Sequence, residues 1–240
     1  MIGVFDSGVG GLAVALLLRQ ALPDVDLIYL ADAQFAPYGQ KSQTQIIERM
    51  RQVAQWFHGR GVRLLVMACN TATVNAIDEV RLAFPDMAFV GIEPAVKPAA
   101  QVCERIIVLG TNSTVHNERY RQLVDRYAAG KQLWHVGAPE LVRQVESGEL
   151  DDLSNLNRLN PSLTDVDGLV IGCTHFSFLV PTIRQHWPQL QIFDGADGVV
   201  RRTMALANEA GTGETAWFTT GPARTVTFIN PPVSFAHAEL

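Results

Sequence analysis

Long apolar runs are missing from this sequence. No stretch approaches the roughly 18 to 20 residues that a membrane-spanning helix needs, and the longest candidates, such as residues 64–69, are the size of a strand. Runs of lysine or arginine are missing too. The 19 basic residues stand against 24 acidic ones, for a formal net charge of −5, so nothing here marks a nucleic-acid binder. The N-terminus, Met1-Ile2-Gly3-Val4-Phe5-Asp6, has no basic region, no long apolar region and no small-residue cleavage site, so a cytosolic protein is expected. Cysteine is scarce: Cys69, Cys103 and Cys173 are odd in number and form no CxxC and no His/Cys cluster at metal spacing. That excludes a disulfide framework and a structural zinc site, and no metal is expected. Disorder is excluded as well, because 48% of residues are hydrophobic and only 18% charged. A chain of 240 residues can bury one large core or two small ones.

Short apolar runs alternate with amphipathic stretches. The pattern predicts strands over 2–5, 26–31, 63–68, 88–92, 105–109, 132–136, 168–171 and 190–193. Helices are predicted between them over 12–21, 44–60, 73–84, 114–128 and 178–186. Continuously apolar strands in βα units imply an α/β fold with doubly wound parallel sheets. The two prolines of 91–98 mark a junction, and the polar stretch 151–164 reads as a loop or weak helix. A further helix follows Asp194. Edge strands fit 216–220 and 225–229, and the tail 230–240, with its paired prolines, reads as loosely held. One internal likeness stands out. Leu64–Thr71 and Leu169–His175 are both apolar strands that run into a cysteine and then into hydroxyl or amide residues. The two cysteines lie 104 residues apart, as a duplicated α/β half in a two-domain chain would place them.

Ligands of parallel α/β sheets bind at the carboxyl ends of the strands. Cys69 and Cys173 are predicted at those ends, where a following helix N-terminus favours thiolate over thiol. A thiol of ordinary pKa about 8.5 then needs only a modest shift to exchange protons near neutrality. One such cysteine is most simply a small hydrophobe; two at matching junctions are better read as chemistry. Cys103, inside a helical pattern, stays a hydrophobe.

Asp6-Ser7-Gly8-Val9-Gly10-Gly11 follows the first strand. Its glycines permit close approach of a ligand to the backbone, Ser7 offers a group for a carboxylate or amine, and Asp6 can orient a base. The same loop has a rival reading. Gly8, Gly10 and Ala13 match the dinucleotide fingerprint, with Asp32 where a ribose acid belongs; against it, Asp6 sets a negative charge where a pyrophosphate would approach. Pro37-Tyr38-Gly39 forms a turn whose N–H groups can bind a carboxylate, although an ordinary turn has the same composition. His175, two residues past Cys173, can exchange protons with what that cysteine attacks. Thr111 and Thr114 either hold a ligand or cap a helix. Glu146 reads as a helix-end charge unless it points inward.

The chemistry narrows by elimination. A phosphatase C-x5-R loop is absent, since Asn75 and Leu179 occupy the arginine positions. A cysteine hydrolase leaves one cysteine unexplained. Two cysteines suit a reaction that needs one base on each face of a planar centre. Inversion of an amino acid at its α-carbon is such a reaction, with donors around the carboxylate stabilising the carbanion.

These segments resemble the glutamate racemases, within the aspartate/glutamate racemase superfamily. The likeness runs from Met1 to about Gly198 through residues 6–11, Pro37-Tyr38-Gly39 with Lys41-Ser42, Ala68–Thr73, Glu93-Pro94 and Gly172–His175. It implies two doubly wound α/β domains facing each other across a cleft that holds the active site. Residues 1–93 with 195–240 would form the first domain and 94–194 the second. It implies cofactor-independent, two-base racemisation. By the same likeness Cys69 would take the α-proton from D-glutamate and Cys173 from L-glutamate, assisted by Asp6 and His175 respectively. It places Ser7, Tyr38, Gly39, Asn70, Thr71 and Thr174 at substrate-holding positions, with Thr111, Thr114 and Glu146 as looser matches. The partner is then glutamate, the product D-glutamate for peptidoglycan, and a homodimer is compatible. The chain departs from the family at Phe176-Ser177, where tyrosine-proline is usual, and at Gly137-Ala138-Pro139-Glu140. Racemisation of another acidic amino acid such as aspartate, and a nucleotide-binding oxidoreductase, stay open at this point.

Overall fold

The computed structural model describes residues 1–208 and 210–240. It divides into two compact units, Met1–Ile92 with Ala196–Leu240 and Glu93–Gly195. Among the described residues, no helix is long and apolar enough to cross a membrane.

The first unit is built from β1 (Ile2–Asp6), α1 (Leu12–Ala21), β2 (Leu27–Ala31), α2 (Gln43–His58), β3 (Leu64–Met67), α3 (Asn70–Ala83) and β4 (Ala88–Gly91). The C-terminal segment adds α9 (Ala196–Leu206), β9 (Thr215–Thr219), β10 (Arg224–Val226) and β11 (Val233–His237). Its seven strands among the described residues lie in the order β10-β11-β9-β2-β1-β3-β4. All neighbours run parallel except β10 against β11. Strands β1, β2 and β3 are buried along their whole length, as central strands of a sheet covered on both faces must be. Helix α2 turns Ile46, Met50, Val53 and Phe57 onto that sheet in one stripe. It starts with a capping box in which the Ser42 hydroxyl accepts from Gln45 N–H and the Gln45 side chain accepts from Ser42 N–H.

The second unit holds α4 (Val96–Val102), β5 (Arg105–Gly110), α5 (Asn112–Val115), α6 (Glu118–Tyr127), β6 (Gln132–Gly137), α7 (Pro139–Ser147), β7 (Gly168–Gly172), α8 (Val180–His186) and β8 (Gln191–Asp194). Its four strands run parallel in the order β6-β5-β7-β8. That order is β2-β1-β3-β4 again. The register repeats too: Ile2 pairs with Leu64 and Ile106 with Gly168, each partner 62 residues along the chain. So β5 and β7 reproduce β1 and β3 at the same 104-residue displacement that separates Cys69 from Cys173. Cys103 is 1% exposed in this unit's core. Burial pushes its thiol pKa up, which suits a hydrophobe rather than a nucleophile.

Several elements differ from the sequence pattern. The helix expected over 114–128 is two, because the Asn117 side chain accepts from Arg119 N–H and caps α6 afresh. The helix expected from residue 73 begins at Asn70, which brings its first turn up against Cys69. The proline-rich junction contains α4; Pro98 sits in its first turn, where a backbone N–H has no intrahelical acceptor to lose. Helix α7, of which the sequence reading marked only the end near Glu146, is opened by Pro139 and closed by Gly148, at φ +80°, in the left-handed region. The tail is not loose. β11 inserts between β10 and β9, with Val233 and Phe235 buried and Ser234 exposed, the period of two that a strand requires.

Candidate active site

Sheet register decides which side chains meet at the carboxyl end of β1 and β3. Phe5 pairs with Met67, so continuing two residues sets Ser7 beside Cys69, and Cys69 Sγ lies 3.4 Å from Ser7 Oγ. Cys69 is the extended N-cap residue of the fourteen-residue α3 and is 4% exposed. Asp6 is fully buried, and its Oδ1 accepts from Gly8 N–H at 2.8 Å. The Tyr29 hydroxyl donates to Gly8 O at 2.8 Å. The glycine loop thus wraps its own carboxylate. Gly11 explains why a glycine is needed there: a Cβ would sit 2.6 Å from Asp6 Cβ and 3.1 Å from Ala68 Cβ. Gly11→Ala is therefore expected to cost about 1–3 kcal/mol in urea unfolding; a loss below about 0.5 kcal/mol would show that the loop gives way freely.

Asn70 opens α3 at 2% exposure, and among the described residues neither its Nδ2 nor its Oδ1 has a hydrogen-bond partner. Buried amides are rarely left so in native proteins unless something else completes them. Thr71, also 2% exposed, follows it. Tyr38 and Gly39 begin a 3-10 turn, Tyr38–Gln40, whose first N–H groups have no acceptor within the turn. The Tyr38 side chain points away from that role. It is buried, its hydroxyl donates to Asp32 Oδ2 at 2.7 Å, and burial together with the Asp32 charge pushes its pKa up. What Tyr38 and Gly39 offer a ligand is backbone.

Asp32 does not read a ribose. It is fully buried and bound on every side: Arg49 Nε and Nη2 donate to it at 2.8 and 2.7 Å, and the Thr220 hydroxyl at 2.7 Å. With Asp6 buried at the first turn and Asp32 so engaged, the dinucleotide reading has neither its phosphate cradle nor its acid.

In the second unit Cys173 follows β7 and is 6% exposed. Its Sγ lies 3.8 Å from His175 Nδ1, and His175 Nε2 lies 2.7 Å from Glu146 Oε1. A carboxylate at Nε2 favours the proton on that nitrogen, which leaves Nδ1 facing the sulfur. Glu146, expected among the substrate-holding residues, points inward and bonds to His175. Thr174 and His175 are buried in the 3-10 segment Thr174–Leu179 that follows the cysteine. Thr111 caps α5: its Oγ1 accepts from Thr114 N–H at 3.2 Å and lies 3.0 Å from Thr114 Oγ1. At the Phe176-Ser177 departure, Phe176 is fully buried and the Ser177 hydroxyl donates to Asp194 Oδ2 at 2.5 Å.

Sequence reasoning missed Arg49 and Thr220. Arg49 left a trace, since it interrupts the apolar stripe of α2 between Ile46 and Val53, and a cation on a buried stripe needs a carboxylate. Thr220 left none, because its partner is 188 residues away.

Comparison with known proteins shows the family. The Asp/Glu/Hydantoin racemase family model matches residues 13–203. The glutamate racemase of Pseudomonas syringae pv. tomato is 38% identical over 231 residues, covering 93% of this chain and 82% of that one. The Escherichia coli glutamate racemase, solved with L-glutamate and the activator UDP-MurNAc-ala, superposes with a TM-score of 0.81 at 32% identity, covering 92% of this chain and 88% of that one. The Thermus thermophilus enzyme gives 0.78 at 33% identity with the same coverage. An aspartate racemase from Picrophilus torridus, at 13% identity and a TM-score of 0.61 over 86% of this chain and 93% of its own, shares the fold. The chain belongs to the Asp/Glu racemase family and, within it, to the glutamate racemases, which are amino-acid racemases of the isomerase class.

Proposed function

We propose that this protein interconverts L- and D-glutamate without a cofactor, using Cys69 and Cys173 as paired acid and base. The observation that carries the proposal is the repeated register: two sheets of one topology each deliver a cysteine at the same strand end. Each cysteine has a polar neighbour, Ser7 for one and His175 for the other.

In one direction Cys69, as thiolate, takes the α-proton of D-glutamate while Cys173, as thiol, delivers a proton to the other face. In the reverse direction the protonation states exchange. Asp6 assists on the Cys69 side. On the Cys173 side Glu146 orients His175, whose Nδ1 accepts the proton from the thiol to leave a thiolate and returns it to the thiolate afterwards. The planar carbanion needs its carboxylate held by fixed dipoles. The Tyr38 and Gly39 N–H groups, the unpartnered Asn70 amide, Ser7, Thr71 and Thr174 supply them, and Thr111 and Thr114 shape the second unit's contribution. The product D-glutamate would enter peptidoglycan synthesis in the cytosol of a bacterium.

Early time points in D2O test the two-base route. Newly formed enantiomer should carry deuterium at Cα while remaining substrate keeps its protium, because each thiol exchanges with solvent before it delivers. Inverted product that retains the original α-proton would contradict two bases. Absence of inversion with glutamate, but turnover of aspartate, would move the substrate assignment.

A further inference from the structure

The turn that opens with Tyr38 and Gly39 closes its own hydrogen bonds, Gln40 N–H to Pro37 O and Lys41 N–H to Tyr38 O, and is tied to the rest of the unit as well. It follows a loop from Asp32 that makes its anchoring contacts to residues distant in sequence. Thr220, just past β9 and 2% exposed, is central to them. Its hydroxyl donates to Asp32 Oδ1 at 2.7 Å and its oxygen accepts from Gln34 N–H at 3.0 Å. Asp32 in turn accepts from the Tyr38 hydroxyl and from the Arg49 fork. The next residue completes the clamp. A Cβ on Gly221 would lie 3.2 Å from Ala33 Cβ, and the Gly221 carbonyl accepts from His237 Nδ1 at 2.9 Å. The C-terminal strands are thus bolted to the loop at one hydroxyl that serves two partners at once.

We infer that Thr220 is a positioning residue for the Tyr38–Gly39 turn, setting the backbone donors that receive the substrate carboxylate. The inference rests on the proposed role of that turn in glutamate binding. A hydroxyl that touches no substrate can act only through the loop, and the turn N–H groups face a carboxylate that is charged in substrate and carbanion alike, so its loss should weaken binding of ground state and transition state together. Uniform binding loss raises KM and leaves kcat. L- and D-glutamate have equal free energies in an achiral solvent, so kcat/KM must fall by the same factor in both directions.

Thr220→Val keeps the shape and removes both hydrogen bonds. KM for both enantiomers is expected to rise about tenfold with kcat within about twofold, and Thr220→Ser should restore the parent KM. An unchanged KM in folded Thr220→Val, with only a lower melting temperature, would overturn the inference and leave Thr220 a stabilising contact. So would a kcat loss that serine does not rescue. If the valine variant does not fold, Arg49→Lys, which keeps the charge and loses the fork, should show the same KM-weighted effect; unchanged KM there overturns the inference equally. Cys69→Ser and Cys173→Ser run alongside. Parent-rate racemisation in both would remove the proposed mechanism, whereas cysteine dependence with an unmoved KM in Thr220→Val removes the clamp alone.

Discussion

Cys69→Ser is expected to lose net racemisation by a factor of about 10²–10⁴, the span of a lost general acid or base, yet still exchange the α-proton of L-glutamate with solvent. Serine holds its proton too tightly to act as the base for D-glutamate and gives it up too slowly to serve as the acid on that face. Cys173, with His175 and Glu146 behind it, is intact in this variant. It can still lift the proton from L-glutamate and return a solvent-derived one to the same face. Cys173→Ser should show the mirror result: exchange with D-glutamate only. Rates of inversion cannot make this distinction, because both directions must slow equally. The NMR signal of the α-proton in D2O, one enantiomer and one variant at a time, makes it directly. Exchange of both enantiomers by either variant would mean that one cysteine serves both faces.

The second large effect concerns stability. Asp32→Ala is expected to destabilise the protein by about 3–5 kcal/mol, the cost of stranding a buried charge by removing its partner. Arg49 keeps 15% of its side-chain surface exposed and has its Nε and Nη2 on that carboxylate. The hydrogen bond to Asp32 raises the guanidinium pKa further, but an arginine stays charged without any such partner, so it cannot shed the charge when the carboxylate goes. The Tyr38 and Thr220 hydroxyls lose their acceptor in the same stroke. Asp32→Ala combined with Arg49→Ala should therefore cost less than the sum of the two single changes. Urea unfolding of the four proteins measures the coupling. Additive losses would show that Asp32 and Arg49 stabilise the fold independently.

How far the sequence revealed this molecule depended on distance along the chain. All eight strands of the two repeated halves were legible, because a buried parallel strand is a local run of apolar residues bounded by polar turns. Their order within a sheet was not, yet the 104-residue spacing of the cysteines already pointed to duplication. Helix ends were less legible. Asn117 could continue a helix or cap a new one, and only the geometry of its side chain decides. At the site, short motifs exposed Ser7, Cys69, Cys173 and His175, which meet within each unit through register or through two-residue spacing. Glu146 and Thr220 were opaque as to role, since each acts through a contact that only the folded chain creates. Asp32 shows the opposite failure. Its place at a strand end fits a nucleotide motif, and its burial among four donor groups removes it from any ligand's reach.

The order in which the chain leaves the ribosome follows from the split of the first unit. Glu93–Gly195 emerges in one contiguous stretch and contains every strand of its own sheet. Met1–Ile92 is made earlier but lacks β9, β10 and β11, and Asp32 must wait for Thr220. During synthesis the half that appears later is the one able to close first, and the nascent N-terminal sheet keeps the outer side of β2 unpaired until β9 is made. That exposed strand is where a stalled or truncated product should stick to its neighbours.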